Sequence, residues 1–578
     1  MIPTVNHFRI FSLPVLMPWA MVRGAWTGLL LLALLLGCLP GSAHATDAGQ
    51  PAAAFTHVMV ELALPPAAAL FAQANAAGQD RATLAVATRA HLTRIDAAQS
   101  VVLANLPPDA AVLYQVRNAY NGIAVRVNAG EIAQLAELPG VAAIHPLIPK
   151  QPDNVQSVPF TGAPVLWRGL TDSLGDDITG RGMTIAVIDT GVDYLHATFG
   201  GVGPYTAAYA ENDPTRIGDV PGFPGAKVIG GYDFAGDAYN ADPDAADYMP
   251  FPQPDQDPMD CYPHGTHVAA TAAGYGVLSS GRTDERVYRG PYDPTTYQQN
   301  FAIGPGVAPH ASIIALKVFG CRGSSDLVEL AIDWAIDPNG DGDFSDRVDV
   351  INLSLGSSYG AVHDPAAIAA NNAALTGIVV VASTGNAGDV VYVTGSPAVA
   401  DRVISVAAGR VPVPGEIHAA LSPDRAEATD NIAAFSSRGP RRDDSSLKPD
   451  ITAPGVSILS SVPGGSGVRG EAWSGTSMAS PHVAGAMALL RQLHPTWSVE
   501  ELKALVMNSA RLASATAMTT ASPTRIGAGE LDLSQVTANE TVAFDADGSG
   551  RVSLSFGAPE VQMGFFIDGQ VFFFNDTA

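Results

Sequence analysis

Five short, largely apolar runs after residue 180 place the strongest limit on the fold of this chain. They have the length of strands and are rich in Val and Ile: MTIAVI (183–188), SIIALKVF (312–319), VDVINLSL (348–355), GIVVVAS (377–383) and RVISVAA (402–408). Helical patterns alternate with them, notably at 327–336 and 366–375. Apolar strands that alternate with helices indicate a mostly parallel sheet covered on both faces, a three-layer α/β/α sandwich.

The first 45 residues have the pattern of a secretory signal peptide. Two arginines precede the apolar run TGLLLLALLLGCLP, and the small residues AHA at 43–45 suit cleavage after Ala45. Because the run is short and is followed by Pro and Gly, a membrane anchor fits less well. A lipoprotein attached through Cys38 is a second alternative. We therefore predict a protein that is secreted and free of the membrane once the signal is removed.

Composition divides the remaining chain into three parts. Residues 46–150 are rich in Ala, with an amphipathic helix at 82–103, alternating strands in YQVRNAY and IAVRVNA, and a closing edge strand in VAAIHP. These patterns predict a small α+β domain. Residues 151–515 contain the apolar strands of the sandwich. In residues 516–578 the helical patterns are lost and RVSLSFG and QVFFFND read as strands, which predicts a C-terminal β segment of an incomplete domain.

The charge of the chain disfavours some partners. It has 56 acidic against 31 basic residues, a formal net charge of -25. Because phosphate groups are bound by clustered Lys and Arg, this balance disfavours nucleic acids and anionic membranes. With 47% hydrophobic residues, the chain can bury a large core. We expect a globular monomer that has no nucleic-acid partner.

Three separated motifs carry residues that can work together on a substrate. Asp189 ends a strand in MTIAVIDTGVD, His264 begins HGTHVAATAAG, and Ser477 lies in SGTSMASPHVAG, where a helix is predicted to begin near Met478. Each residue alone is more often a cap or a turn residue. Together they supply a nucleophile, a base and a carboxylate that orients the base. The Ser477 N–H and the Asn386 side chain can then stabilise an oxyanion.

The order of these residues along the chain separates classes of hydrolase. An α/β-hydrolase has the order Ser, Asp, His and a G-x-S-x-G turn, whereas residues 475–479 read GTSMA, and the chymotrypsin order begins with His. Asp, His, Ser is the subtilisin order. With the motifs VIDTGVDYLH, HGTHVAATAAG and SGTSMASPHVAG, the sequence over about 160–515 resembles the subtilisin-like serine proteases, the subtilases.

This resemblance implies a role for each residue. Asp189 would orient His264, which would act as general base and then as general acid, Ser477 would be the nucleophile, and Asn386 would donate to the oxyanion. A substrate would lie as an extra strand in a groove. The walls of that groove would be Ser354, Leu355, Gly356, Ser383, Thr384 and Gly385. The chemistry would require no cofactor, and the substrates would be proteins or peptides.

A second resemblance covers residues 56–147. YNGIAVRV and IAQLAELPGVAAIHP are similar to the subtilisin propeptide. This implies a zymogen whose propeptide assists folding, inhibits the active site and is cut off by the enzyme itself within 146–160. The family also implies a cis peptide bond at Ser396-Pro397. Two other functions remain open: an esterase that uses the same three residues, and a catalytically inactive protein that binds partners on this fold.

The cysteines predict one disulfide bond. Of the three in the chain, Cys38 leaves with the signal peptide, so Cys261 and Cys321 remain as an even pair. A pair of cysteines in an oxidising compartment is usually bonded. A cysteine nucleophile is the weaker alternative, because nothing in the sequence marks either residue as activated.

One acidic loop resembles a metal site. DPNGDGDFSD at 337–346 begins like an EF-hand calcium loop. The twelfth position is Val348, so the Glu that binds calcium through both oxygens is missing. A structural calcium ion and a plain acidic turn both remain open. The candidate ligands are Asp337, Asn339, Asp341 and Asp343.

Overall fold

A computed structural model describes most of the chain after residue 54. The described residues are 55–147, 151–152, 157–204, 212, 220–292, 296, 299–411, 431–511, 522–539, 541–545, 548–553, 566–567 and 570–571. All of them belong to one compact unit, Ala53–Ala578. The predicted signal peptide, with Cys38 and Ala45, and part of the predicted cleavage region lie outside the described residues.

Residues 55–147, called the N-terminal segment below, form an antiparallel sheet with helices. The strands are β1 (Phe55–Leu62), β2 (Ala111–Val116), β3 (Gly122–Asn128) and β4 (Val141–Pro146), and the helices are α1 (Ala67–Ala76), α2 (Arg81–Leu103) and α3 (Ile132–Ala136). The strand order β2-β3-β1-β4 confirms VAAIHP as an edge strand, and α2 confirms the helix at 82–103. The sequence pattern does not predict β1, because its four central residues are all buried and show no alternation.

A seven-stranded sheet, in which every neighbouring pair is parallel, forms the centre of the fold. Its strands are β6 (Thr184–Asp189), β7 (Val228–Asp233), β10 (Ser312–Lys317), β11 (Val350–Leu353), β13 (Val379–Ser383), β14 (Ile404–Gly409) and β15 (Ile451–Pro454). They lie in the order β15-β14-β13-β11-β6-β10-β7. The α/β/α class is therefore confirmed, and the five predicted strands are the five inner ones.

Helices flank the central sheet in two groups. In the first group, α5 (His264–Ala273) packs on α8 (Thr476–Leu493), which also packs on β11, β13 and β14. In the second group, α6 (Val328–Ile336) packs on α7 (Pro365–Leu375). The N-terminal segment docks on this second group, because β2 contacts α6 and α1 contacts α7. No described helix has both the length and the apolar character that crossing a membrane requires.

The remaining elements are short. The strands are β5 (Gln151–Pro152), β8 (Val277–Leu278), β9 (Phe301–Ile303), β12 (Leu355–Gly356), β16 (Val456–Ser461), β17 (Gly470–Ser474), β18 (Phe566–Ile567) and β19 (Gln570–Val571). The helices are α4 (Ala163–Gly169), α9 (Val499–Asn508) and α10 (Pro523–Ile526), with 3-10 turns at Ala129–Glu131, Pro159–Thr161, Ala197–Phe199 and Phe344–Asp346.

The C-terminal part departs from the β segment predicted at 516–578. Helix α10 corrects the expectation that helices end before 516, and Ser522 caps its start. Residues 551–553, at the start of RVSLSFG, are not a strand, although Val552 is buried in the same apolar core as the central sheet. The start of QVFFFND does form a strand, β19, which pairs with β18. The rest of both stretches lies outside the described residues.

Two covalent features named from the sequence are present. Cys261 and Cys321 form a disulfide bond with an S–S distance of 2.01 Å. The bond joins the loop ahead of α5 to the loop after β10. The Ser396-Pro397 peptide bond is cis.

Candidate active site

Polar residues follow three neighbouring strands at one edge of the central sheet. Asp189 is the last residue of β6, Ser354 directly follows β11, and Asn386 lies three residues after β13. β11 pairs in parallel with β6 on one side and with β13 on the other. Because the carboxyl ends of parallel strands meet at the same edge, the three residues gather there.

A short hydrogen bond joins Asp189 to His264. His264 begins helix α5, and its Nδ1 lies 2.5 Å from Asp189 Oδ1, with both side chains buried. The Thr190 N–H donates to the same oxygen at 2.8 Å. Because a carboxylate accepts hydrogen bonds, Nδ1 is the nitrogen that donates, and Nε2 is the one that can take up a proton during a reaction.

Asp260 fixes the start of helix α5. Its Oδ2 accepts the Thr266 N–H at 2.9 Å and the Thr266 hydroxyl at 2.5 Å. The Thr190 hydroxyl donates to Asp260 Oδ1 at 2.9 Å and accepts the Gly265 N–H at 2.8 Å, which ties the end of β6 to α5. Burial raises the pKa of Asp260 to about 8. Its one sequence signal is its place four residues before His264, and motif reasoning misses it.

Ser477 lies in the first turn of helix α8. The helix begins at Thr476, two residues before the predicted start at Met478, because Gly475 ahead of it is extended and already serves as the N-cap. The N–H groups of a first turn have no acceptor within the helix. The Ser477 hydroxyl donates to the Ser354 carbonyl oxygen at 2.9 Å.

A proline creates a second contact between these two serines. Pro481 has no N–H, so the carbonyl of Ser477, four residues earlier in α8, lacks its helical donor. The Ser354 hydroxyl donates to that carbonyl at 2.6 Å, and the Asn352 side-chain amide donates to the Ser354 hydroxyl at 2.9 Å. Two hydrogen bonds of opposite direction therefore join Ser477 to the predicted groove wall at 354–356, the first of the two walls.

Asn386 carries a buried Nδ2 group that has no partner among the described residues. Its Oδ1 accepts the Thr476 N–H at 2.9 Å and the Thr476 hydroxyl at 3.1 Å. Because a backbone N–H can only donate, the atom of Asn386 that accepts it must be the amide oxygen. Nδ2 therefore points away from the Thr476 N–H. An unpaired buried donor costs about 1–3 kcal/mol, so its presence needs a reason. Thr476, which motif reasoning also misses, holds this orientation.

The first predicted groove wall carries a strand of the same chain. β5, Gln151–Pro152, pairs antiparallel with β12, with Leu355 opposite Pro152 and Gly356 opposite Gln151. The second wall, at 383–385, is tied to the first through the Ser383 hydroxyl, which donates to the Leu355 carbonyl at 3.4 Å. The groove walls are therefore adjacent, and one of them is occupied.

Buried acids on and before helix α6 bind the N-terminal segment. Asp333 accepts the backbone N–H groups of residues 117, 118 and 119 at 3.3, 2.5 and 2.7 Å. Asp326 Oδ2 lies 2.6 Å from Nδ1 of His57 on β1. Burial raises the pKa of Asp333 to about 7. The contact thus includes buried carboxylates that meet main-chain and imidazole donors.

Two further histidines lie close in sequence to the motif residues and stay neutral. His482 Nδ1 donates to the Met478 carbonyl at 2.5 Å, and its Nε2 accepts the Ser157 N–H at 2.9 Å. His267 stacks on Trp473 with ring centroids 5.1 Å apart. Burial lowers the pKa of His482 to about 4 and that of His267 to about 3. Both rings therefore serve as neutral packing and hydrogen-bonding groups.

In the acidic loop at 337–346, a carboxylate accepts backbone N–H groups of the loop itself. Asp337 accepts the N–H groups of Asp341 and Gly342 at 3.1 and 3.0 Å. Asp343 pairs instead with Arg81 of the N-terminal segment at 2.8 Å. Within the described residues, the carboxylates of this loop do not converge as a group of three ligands. The calcium site stays a prediction.

Comparisons with known proteins cover the region that holds this geometry. The sequence model of the Subtilase family matches residues 180–550. The chain is 25% identical over 540 residues to the minor extracellular protease Vpr of Bacillus subtilis, which covers 68% of this chain and 57% of the relative. It is 31% identical over 351 residues to serine protease AprX of the same organism, covering 58% and 62%. For subtilisin E of that organism it is 30% identical over 328 residues, covering 56% and 59%. The chain thus spans less than two thirds of each relative.

Proposed function

Because the chain belongs to the subtilase family, we propose that it is a serine endopeptidase in which Asp189, His264 and Ser477 act together. Substrate binding turns the Ser477 hydroxyl from the Ser354 carbonyl toward His264. Nε2 of His264 takes the hydroxyl proton while Asp189 holds the opposite side of the ring, and Oγ attacks the peptide carbonyl. His264 then gives the proton to the leaving amine, and a water molecule hydrolyses the ester by the same route.

The observation that carries this proposal is the unpaired Nδ2 of Asn386. The carbonyl oxygen of the substrate gains negative charge only while the tetrahedral intermediate exists. Nδ2 of Asn386 and the N–H of Ser477 are the two donors that stabilise this charge, assisted by the start of helix α8. Because this donor has no partner among the described residues, it is available to the charge that develops on the substrate, and that interaction would offset the cost of burying it.

We further propose that the N-terminal segment is an inhibitory propeptide of a secreted, monomeric enzyme. Two contacts support this proposal. Strand β5, which follows the segment in the chain, pairs with the groove wall at β12, and Asp333 binds the segment's backbone. Protein substrates replace β5 by pairing with the same wall through their own N–H and C=O groups. Secretion is supported by the signal-peptide pattern and by one relative, whose name describes an extracellular protease.

A serine-directed reagent and a protein digest test the proposal. A fluorophosphonate should label the mature protein on Ser477, and the same protein should digest casein. An esterase would be labelled and would cleave ester substrates but leave casein intact. A catalytically inactive binding protein would show neither reaction. Heat-unfolded protein, in which the site is lost, is the control for labelling that does not depend on the fold.

A further inference from the structure

Three side chains of the kinds that bind metal ions lie together beside the loop ahead of helix α5. They are Asp237, Cys261 and Cys321, and one ligand atom of each lies within 4.8 Å of the other two. Asp237 is 24 residues from Cys261, and the two cysteines are 60 residues apart. Only the folded chain therefore brings the three together. Cys261 also lies three residues before His264 in the sequence.

The contacts of Asp237 hold its carboxylate beside the cysteines. Its carbonyl accepts the Cys321 N–H at 2.9 Å, and its Oδ1 lies 3.3 Å from Cys261 Sγ. A sulfur atom in a disulfide bond carries no proton, so this second contact is not a hydrogen bond. Lys317 Nζ lies 3.3 Å from the same Oδ1 and 2.5 Å from Asp233 Oδ2. The carboxylate is thus fixed next to a sulfur atom that donates nothing to it.

The spacing of these ligand atoms fits a tetrahedral metal site. Zinc binds thiolate sulfur at about 2.3 Å and carboxylate oxygen at about 2.0 Å, so two such ligands on one tetrahedral ion lie roughly 3.5 Å apart. Asp237 Oδ1 and Cys261 Sγ are 3.3 Å apart. The Cα atoms of the two cysteines are 5.0 Å apart, so both thiolates can reach one ion once the disulfide bond is open. Two thiolates and one carboxylate then supply three of the four ligands.

Charge and exposure at this place also favour a cation. The carboxylates of Asp233 and Asp237 face a single ammonium group, that of Lys317. Reduction of the disulfide bond adds two thiols, which become negatively charged when they bind a metal ion. The Asp237 side chain is 52% exposed, and both cysteines are half-buried. A small reductant and an ion can therefore reach the three residues from solvent.

We propose that Asp237, Cys261 and Cys321 bind a thiophilic divalent cation of the zinc class when the disulfide bond is reduced. Two molecules of a small thiol form a new disulfide with each other and pass two electrons and two protons to the cysteines. Both cysteine thiols then lose their protons to solvent as the cation binds. The disulfide bond and the cation are thus alternative links between the loop ahead of α5 and the loop after β10. The cation keeps the loop that leads to His264 tied to the sheet under reducing conditions.

Cadmium binding to the Ser477→Ala chain tests the proposal, and this inactive chain makes the result independent of the proposed peptidase activity. Cd²⁺ is a zinc-class cation whose bonds to thiolates absorb ultraviolet light. The chain is reduced with a thiol, which is then removed by gel filtration without oxygen. The reduced chain should bind one Cd²⁺ and gain this absorption, and the oxidised chain should do neither. No binding by the reduced chain, or equal binding by both forms, would overturn the proposal.

A variant at Asp237 tests whether the folded site binds the cation, rather than two reduced cysteines alone. Asp237→Asn in the Ser477→Ala chain keeps both cysteines and should weaken Cd²⁺ binding about tenfold or more. Asp244→Asn is the matched control, since it removes an exposed carboxylate outside the group of three and should leave the affinity unchanged. Equal affinity in the Asp237 variant and its parent, as a reduced chain that unfolds would give, counts against the proposal. Thermal unfolding of the oxidised chains checks that both variants fold.

Discussion

The edge of the sheet that carries Asp189, Ser354 and Asn386, called the catalytic edge below after its proposed role, uses the same chemistry as the contact between helix α6 and the N-terminal segment, with different consequences. At the edge, buried Asp189 accepts donors from His264 and Thr190, which stay in one chain after a cut within 146–160 that would release the N-terminal segment. At α6, buried Asp333 accepts donors from residues 117–119, which lie on the other side of that cut. Under the proposed function, the same kind of bond maintains the active site in one region and sets the lifetime of inhibition in the other.

The largest expected effect comes from removing the nucleophile, which should affect only the catalytic edge. We expect Ser477→Ala to lower kcat on the order of 10^6-fold, by analogy with other enzymes of this type. The contact at α6 should be unchanged, because it lies at the other helix group. Peptide hydrolysis measures the first effect, and thermal unfolding measures the integrity of the rest. Peptide cleavage that survives in this variant would contradict the mechanism.

A substitution at Asn386, the proposed oxyanion donor, tests the same edge with a smaller expected effect on kcat. Asn386→Ala should lower kcat by about 10^2–10^3-fold with little change in KM, because Nδ2 acts on charge that exists only in the transition state. Ser383→Ala is the matched control, since it removes a wall hydroxyl that makes one long hydrogen bond. It should change kcat less than about tenfold. A rise in KM alone for Asn386→Ala would assign the donor to substrate binding instead.

Asp333→Ala should break the contact at α6 and leave the catalytic edge intact. Its three backbone partners lose a charged acceptor, so the cleaved N-terminal segment should dissociate on the order of 10- to 100-fold faster. The dissociation rate after self-cleavage, measured at about pH 8.5 where Asp333 is ionised, gives the effect.

Asp349→Ala is the matched control for the α6 prediction. Asp349 also accepts a backbone N–H, that of Thr184 at 2.8 Å, but both residues lie on the same side of the proposed cut. The variant should lower thermal stability without changing the dissociation of the N-terminal segment. Equal dissociation rates in the Asp333 and Asp349 variants would mean that Asp333 does not hold the segment.

The smallest effect concerns a neutral, buried histidine that precedes the 3-10 turn Ala197–Phe199. His196 donates to the Arg469 carbonyl and accepts the Thr198 N–H, and burial lowers its pKa to about 4. As pH falls from about 6.5 toward 4, the unfolded chain takes up a proton that the folded chain does not, so folding loses about 1.4 kcal/mol per pH unit. His196→Gln should remove this part of the loss.

Urea unfolding of the Ser477→Ala chain, with and without His196→Gln, measures the difference without self-digestion. The free energy of unfolding at about pH 7.5 and about pH 5 is compared between the two chains. A smaller loss in the variant supports a neutral buried ring. The same loss in both chains would mean that His196 is protonated in the folded protein over this range.

The inner strands of the sheet could be predicted from the sequence and the edge strands could not. A strand with neighbours on both sides and helices on both faces is largely apolar, so it can be recognised in the sequence. The edge strands read VIGGYD and ITAP. Edge strands tolerate Gly and Pro because they pair on one side only, so the apolar pattern is interrupted. The strand predicted to begin at residue 551 in RVSLSFG is absent from residues 551–553. Val552 is buried there without belonging to a strand, so an apolar residue alone does not identify one.

The residues of the candidate site also divide into those that the sequence identifies and those that it does not. Each motif residue is recognisable within a few neighbours, so Asp189, His264 and Ser477 could be named from the sequence. The residues that orient them act over long separations: Thr476 meets Asn386 across 90 residues, and Thr190 meets Asp260 across 70. No local pattern encodes such pairs, because they exist only once the sheet and its helices have packed.

The position of helix α8 along the chain also bears on when the proposed peptidase activity can first arise during synthesis. This helix is almost entirely buried and packs on β11, β13 and β14, yet it begins only at Thr476. A ribosome makes the chain from its N-terminus, so the strands and the imidazole exist long before the helix that completes their core. The serine is also the last of the three residues to be synthesised. Under the proposed function, the position of Ser477 along the chain therefore delays proteolysis until most of the fold has been translated.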